Sequence, residues 1–376
     1  ETEVMQQEYV GPRNATEETL CRIWEEVLRR DRVGIHDNFF SLGGHSLLAL
    51  QLVTRIRDSF KVEIPIRALF EAPTAGKMTK YIADGNGQRS KLSPVLVSMQ
   101  PQGTRAPLFF VHAVGGQVMS YVELSRELGL EQPFYGLQSP SADFFPSSDA
   151  GITRMATLYI REIRTVQPHG PYLLGGWSMG GLVAWEMAQQ LVKQGETIKL
   201  LVLIDTAPPS GYREASDKTD EPSMLARFAM DMSRLVGKDP RPLAEKFLLL
   251  TPQDQWKMVQ ENLTSYGVLS SATAHAEMTA LLDVFTRNFF ALNNYIASSN
   301  NQQVVFFRAS ETPKHLVEPW TTLAGGGIQF YSIPGDHFTI LKQPNVRTIA
   351  NLLQEHISSL GGQHLQVLAV GAETTL

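Results

Sequence analysis

YLLGGWSMGGLVAWEMAQQLVKQG, residues 172–195, joins a short apolar run to an amphipathic stretch. The first six residues predict a strand. Met179 to Gln194 predicts a helix, closed by Gly195 as its C-cap. Between them stands Gly176-Trp177-Ser178-Met179-Gly180, a G-x-S-x-G match. The pentapeptide alone is a weak signal, but placed between a strand and a helix it is a strong one. A sharp strand-to-helix turn crowds the backbone, so glycines flank the serine and its Oγ is thrust out of the sheet edge. The Met179 N–H, at the helix start, points to where an oxyanion would form. The bland alternative is an ordinary serine in a tight turn, and strand, turn and helix in register argue against it.

Outward from this turn, strands and helices alternate from Pro94 onward. LFFVHA (108–113), PFYGLQ (133–138), IKLLVLID (198–205), QVVFFRAS (303–310) and IQFYSIP (328–334) are short apolar runs. Met155, Tyr159, Ile163 and Val166 recur at helical spacing between two of them. Continuous apolar strands alternating with helices imply a parallel sheet covered on both faces. The alternation stops between about 211 and 300, a helical segment without strand signals. It sits between two sheet strands and therefore reads as an insertion. Its Met224, Leu225, Phe228, Met230 and Met232 are apolar and adaptable. They suit a packed extra layer or a lid, and the lid is expected because long insertions in such sheets usually serve the site. Residues 361–376 are expected to be a structureless tail.

A serine hydroxyl is a weak nucleophile and needs a base. After Ser178, only His337 follows a strand and a Pro-Gly loop, in IQFYSIPGDHFTI, with a helix expected beyond it. His275 falls in the insertion, His315 in a polar loop, His356 on the last helix and His364 in the tail. For the acid, Asp205 ends one strand and Glu311 follows another, and position leaves the two nearly even. Asp336 adjoins His337 and is awkwardly placed to bond its Nδ1. A second oxyanion donor should come from the loop after an early strand. In LFFVHAVGGQ the best candidate is the Ala113 N–H, with Gly115 and Gly116 letting the loop approach closely. The adjacent His112 reads as structural.

The first 83 residues read differently. A helix is expected near Thr16 as cap, with Glu17 and Glu18 at its positive end and Leu20, Ile23, Trp24, Val27 and Leu28 on one face. The loop RDRVGIHDNFFSLGG (30–44) leads to a second helix from about Ser46, bearing Leu48, Leu52, Ile56 and Phe60. VEIPIRALFEAPT reads as a connection, and a last helix spans about 75–83. DGNGQRSKLSP (84–94) is polar and without period, and reads as a linker. Ser46 has no sheet elbow, and the adjacent His45 is poorly placed as its base. An exposed serine at a helix N-terminus suits an anionic phosphodiester; the plainer role is an N-cap.

Composition narrows the functional classes. The chain has 376 residues, 43% hydrophobic and 19% charged, with a formal net charge of -5. Without a basic run, nucleic acid is not an expected partner. No stretch is apolar over the roughly 18 residues that a membrane span needs. The single cysteine, Cys21, excludes an internal disulfide and a cysteine cluster for zinc, and a reducing cytoplasm is the expected compartment. A start at Glu1 without a leader-like segment suggests a piece of a longer chain.

DNFFSLGGHSLLALQL resembles the carrier-domain signature of nonribosomal peptide synthetases, a likeness extending over residues 10–83 through GPRNATEETLCRIWEEVL and IPIRALFEAPTAGKM. Residues 95–360 are similar to the type I thioesterase domains that end such assembly lines, on LFFVHAVGG, GGWSMGG, LVLIDTAPP and PGDHF. The resemblance implies a small all-α helical-bundle carrier domain followed by an α/β-hydrolase domain with a helical lid at about 211–300. It implies 4′-phosphopantetheine on Ser46, a triad of Ser178, His337 and Asp205 (preferred over Glu311), and oxyanion donors at Met179 and Ala113. The partners it implies are upstream condensation and adenylation domains, a phosphopantetheinyl transferase and a peptidyl substrate. A polyketide or mixed line, and a degenerate pair used for docking, are the rival readings.

Overall fold

The computed structural model describes residues 9–44, 46–62, 64–85, 95–140, 151–208, 221–247, 249–269 and 274–369. They pack as two compact units, residues 94–217 with 284–376, and residues 1–93 with 218–283.

The first of these units is built on a seven-stranded sheet ordered β1-β3-β2-β4-β5-β6-β7. Its strands are β1 (Leu96–Gln100), β2 (Leu108–Val111), β3 (Phe134–Leu137), β4 (Tyr172–Trp177), β5 (Ile198–Ile204), β6 (Val304–Ala309) and β7 (Ile328–Ile333). From β3 to β7 every pairing is parallel. Every residue of β2 and β4 is buried, which is why those strands lack an apolar-polar alternation. β1 pairs antiparallel with β3 at the edge, with a register shift between Ser98 and Gln100. Its sequence LVSMQ carries no continuous apolar run, so it escapes the pattern that reveals the other six. Helices α5 (Val122–Glu127), α6 (Ile152–Ile163) and α7 (Met179–Lys193) cover the sheet. α6 and α7 pack together over Tyr159, Leu174, Trp185 and Phe306, all fully buried.

Where a helix was expected directly after His337, the chain instead makes turns until Asn345. Asp336 explains this locally: its Oδ1 accepts from Phe338 N–H, Thr339 N–H and the Thr339 hydroxyl, which holds a turn rather than a helix start. The last helix runs from Asn345 to Ala369, through Gly361 and Gly362, beyond the expected end near 360. Residues 370–376 of the expected tail and 86–94 of the expected linker lie outside the described residues.

The other unit begins with α1 (Ala15–Leu28), α2 (Ser46–Phe60), a single turn α3 (Ala68–Glu71) and α4 (Ala75–Ala83). Leu20, Trp24, Leu52, Ile56 and Met78 are fully buried among them. The cap of α1 is Asn14 rather than Thr16, two residues earlier than expected: its Oδ1 accepts from Glu17 N–H at 2.9 Å. Glu17 is buried and answers the Arg13 guanidinium, which holds its carboxyl below the usual range. Cys21 is buried, and burial pushes its thiol up to about 11, leaving it an unreactive core residue. α2 follows a turn in which Gly43 has φ 100° and Gly44 lies against Phe39, so closely that a Cβ there would sit in the ring.

The insertion is helical as expected, with α8 (Glu221–Leu235), α9 (Arg241–Phe247), α10 (Pro252–Ser265) and α11 (Ala274–Asn294). Met224, Leu225 and Phe228 are buried, whereas Met230 and Met232 are only half-buried. Its residues 218–283 form one compact unit with the first four helices. Arg57 of α2 pairs with Glu277 of α11 at 2.8 Å, and Gln51 Nε2 donates to the Tyr266 carbonyl at 2.9 Å. The expected end near 300 is close to the end of α11 at Asn294. Among the described residues no helix is long and apolar enough to cross a membrane.

Replacing Asn14 by alanine should cost α1 about 1 kcal/mol, the usual price of a lost side-chain cap, while Thr16→Ala should change little. Hydrogen exchange of the α1 amides in the two variants checks this; equal protection in both would contradict the assignment of the cap.

Candidate active site

Parallel strands end on one edge of the sheet, and the site is assembled along the carboxyl edge of β4, β5 and β7. At the end of β4 the chain reverses into α7 within one residue. Ser178 takes φ 59° and ψ -128°, a conformation strained for a side chain with a Cβ. The turn exists only because its neighbours are small. A Cβ on Gly176 would fall on the Gly180 backbone, and one on Gly180 would fall on the Val111 carbonyl of β2. Ser178 is 7% exposed, its N–H donates to the Ile204 carbonyl at 2.9 Å, and its hydroxyl has no hydrogen-bond partner among the described residues.

Asp205 follows β5, with φ 43° and its N–H donating to the Phe307 carbonyl. Its side chain is 1% exposed and fully engaged. Oδ1 accepts from Ala309 N–H at 2.9 Å; Oδ2 accepts from the Thr312 hydroxyl at 2.8 Å and faces His337 Nδ1 at 2.7 Å. That last bond assigns the proton to Nδ1 and leaves Nε2 with a free lone pair, the form a general base needs. Glu311 is exposed and makes no such contact; its backbone N–H donates to the Gly335 carbonyl. Of the two carboxylates left nearly even by position, only Asp205 reaches the imidazole.

His337 sits in the turn after β7, with its side chain 29% exposed. Trp177 holds it from the side. The Trp177 ring lies 5.0 Å from the imidazole, centroid to centroid, and its Nε1–H donates to the His337 carbonyl at 3.1 Å. No bond joins the Ser178 hydroxyl to the imidazole, an arrangement common before substrate tightens a site.

Two backbone amides expected as oxyanion donors lie at the start of α7 and after β2. Met179 opens α7, where the first N–H groups have no partner within the helix. Ala113 follows β2, and its N–H donates to no acceptor among the described residues. His112 beside it is fully buried, between the Tyr159 hydroxyl (2.6 Å) and the Ala113 carbonyl (2.6 Å). Burial pushes its imidazole down to about 4, so it stays neutral and serves as structure.

Three contributors have roles that no motif assigns, although Trp177 itself lies within the G-x-S-x-G match. Tyr121 donates its hydroxyl proton to the Val111 carbonyl at 2.5 Å and accepts from Trp177 N–H at 2.8 Å, tying the end of β2 to the residue before Ser178. Thr312 and Trp177 anchor the acid and the imidazole. All three are recognisable only once distant segments meet. Among the described residues no group of His, Cys, Asp or Glu gathers in a way that would hold a metal ion.

Ser46 is the first residue of the 15-residue helix α2. The Gly43-Gly44 turn brings the chain to a helix N-terminus, where backbone N–H groups and the helix dipole favour a phosphate. The local backbone therefore fits a phosphodiester on Ser46.

A sheet with a strained serine turn, and an Asp-His pair on the same edge, define an α/β-hydrolase. Residues 106–356 match the family model described as a thioesterase domain, and the chain belongs to that family. Residues 18–82 match the phosphopantetheine attachment site, which makes the chain a carrier joined to a thioesterase, as found in nonribosomal peptide synthetases. It is 37% identical over 359 residues to the dimodular nonribosomal peptide synthase of Bacillus subtilis (strain 168), covering 93% of this chain and 14% of that one. With chondramide synthase cmdD of Chondromyces crocatus it shares 32% over 379 residues, 96% of this chain and 9% of the other. The chain thus spans a small part of the length of these relatives. Among solved structures, the four-domain nonribosomal peptide synthetase holo-AB3403, bound to AMP and glycine, matches with a TM-score of 0.64 at 29% identity, over 93% of this chain and 26% of that one. The NocB thioesterase domain shares the fold, with a TM-score of 0.51 at 21% identity over 70% of this chain and 99% of that one.

Asp205→Asn should lower kcat/KM toward a thioester by a factor on the order of 10³–10⁴, as expected when an imidazole loses its orienting carboxylate. Glu311→Gln should leave it nearly unchanged. Steady-state hydrolysis of a small acyl thioester separates the two, and a loss confined to Glu311→Gln would reverse the assignment.

Proposed function

We propose that the chain releases a peptidyl chain held on its own carrier, with Ser46 as the attachment point and Ser178 as the nucleophile. The observation that carries the reading is the 2.7 Å contact between His337 Nδ1 and the buried Asp205 carboxylate, on the sheet edge that also presents the strained Ser178. 4′-Phosphopantetheine, bound to Ser46 through a phosphodiester, supplies a thiol on a long arm to which the acyl chain is attached as a thioester.

His337 Nε2 takes the Ser178 proton as Oγ attacks the thioester carbonyl. The carbonyl oxygen, now negative, is held by the Met179 and Ala113 N–H groups. Asp205 keeps Nδ1–H in place and stabilises the imidazolium without taking its proton. His337 then gives its proton to the departing sulfur, and the C–S bond breaks, leaving the acyl chain as an ester of Ser178. In the second half His337 deprotonates either water or a nucleophile of the chain itself. Attack on the ester returns Ser178 and yields a free acid or a macrocycle. Covalent delivery makes the first step intramolecular, so an effective concentration in the millimolar range can replace tight binding.

The proposed setting is cytoplasmic. Upstream condensation and adenylation domains build the peptide, and a phosphopantetheinyl transferase modifies Ser46. The lone buried thiol and the carrier domain support this setting.

Ser178→Ala should abolish release while Ser46 is still loaded from coenzyme A by a phosphopantetheinyl transferase; Ser46→Ala should block loading while a fluorophosphonate still labels Ser178. Intact-mass measurement with peptide mapping reads both, and release at the wild-type rate by Ser178→Ala would refute the assignment of the nucleophile.

A further inference from the structure

The loop 113–116 after β2 is pinned by its carbonyl groups. The Ala113 carbonyl accepts from Gly116 N–H at 2.9 Å, and the Gly116 carbonyl accepts from Ser139 N–H at 2.9 Å. The Val114 carbonyl has a partner from elsewhere in the fold: Asn288 Nδ2, at 2.9 Å, from the C-terminal part of α11. Asn288 is completely buried. Its amide orientation is forced by donor chemistry. Arg287 has only donors, and its Nη2 reaches the Ser139 hydroxyl at 3.1 Å and the Pro140 carbonyl at 2.6 Å. The Ser139 oxygen therefore accepts from Arg287 and turns its own proton to Asn288 Oδ1, at 3.4 Å. Only Nδ2 is left to face Val114. Val284, one turn earlier on α11, lies so close to Gly116 that a Cβ there would overlap its methyl group.

We propose that Asn288 is a positioning residue for the oxyanion hole. By holding the Val114 carbonyl, it fixes the loop so that the Ala113 N–H stays free and aimed at the developing oxyanion. Arg287 and Ser139 set the direction of that bond. The inference rests on the proposed roles of Ser178 and Ala113. Such a residue acts when negative charge appears on the substrate oxygen, not when substrate binds, so its loss should appear in kcat rather than KM. Losing a whole oxyanion donor costs about 10²–10³-fold, which sets the ceiling.

The test uses the full chain with an acyl-pantetheine thioester as substrate, and rates are expressed per Ser178 titrated to completion with a fluorophosphonate. For Asn288→Ala the expected result is a kcat lower by about 10- to 100-fold with KM unchanged. The affinity for a boronic acid, which forms a tetrahedral adduct on serine, should fall in the same proportion. Asn288→Ser removes less volume, and its hydroxyl is too short to reach Val114; it decides the matter if the alanine variant does not fold. An unchanged kcat per titrated site in the folded variant overturns the proposal, even if the melting temperature falls. A loss that appears equally in KM and leaves boronate affinity intact also overturns it. If the wild-type protein takes no fluorophosphonate on Ser178, the proposed function fails instead, and the two failures are distinguishable.

Discussion

Everything at the site depends on one crowded reversal of direction, from β4 into α7 at Ser178. The serine backbone is held in a conformation that a residue with a Cβ avoids, at a cost on the order of 1–3 kcal/mol. The turn persists because the surroundings leave no room for another path. Gly176 and Gly180 let strand and helix touch, Gly180 passes under the Val111 carbonyl, and β4 is buried along its whole length. The strain yields two things at once. It turns the chain at Ser178 from strand to helix, and in the proposed mechanism it sets the first amides of α7 to receive the oxyanion.

A parallel sheet makes the rest geometrically cheap. Strands β4, β5 and β7 run the same way and end on a common edge, so a serine, an aspartate and a histidine from distant parts of the chain are presented along it. The structure then locks each of them through a bond to something else. Asp205 is fixed by Ala309 and Thr312, His337 by the Trp177 indole, and Trp177 by the Tyr121 hydroxyl. Tyr121 is itself bonded to the strand that leads to Ala113. One buried phenol therefore links the end of β2 to the Ser178 turn. Burial holds its proton on, so that it remains a donor across the working pH range.

Much of this was legible in the sequence because it is local. A strand, a glycine-flanked serine and a helix announce themselves within ten residues, and the six parallel strands show as apolar runs. The edge strand β1 does not, since half-covered LVSMQ lacks such a run. Thr16 looked like a cap by type, but Asn14 is the residue whose side chain reaches an unpaired amide. Asp205 and Glu311 could not be separated by position, because what distinguishes them is which carboxylate reaches an imidazole 132 residues from Asp205 along the chain. Tyr121, Thr312 and Asn288 were invisible for the same reason: their partners are set by tertiary packing, and no spacing rule carries that information.

The two serines of this chain stand in contrasting settings, and the contrast is chemical. Ser46 opens a helix in a small bundle; Ser178 is strained, buried and on the sheet edge that carries the Asp205–His337 pair. The most direct test is a single-turnover experiment. The apo chain is loaded from an acyl-coenzyme A by a phosphopantetheinyl transferase, quenched over time and mapped by mass spectrometry. The account predicts that the acyl group appears first on the Ser46 peptide and then, before release, as an ester on the Ser178 peptide. Product formation from the loaded Ser46 peptide at the wild-type rate in Ser178→Ala, with no Ser178 ester at any time in the unaltered chain, would contradict it.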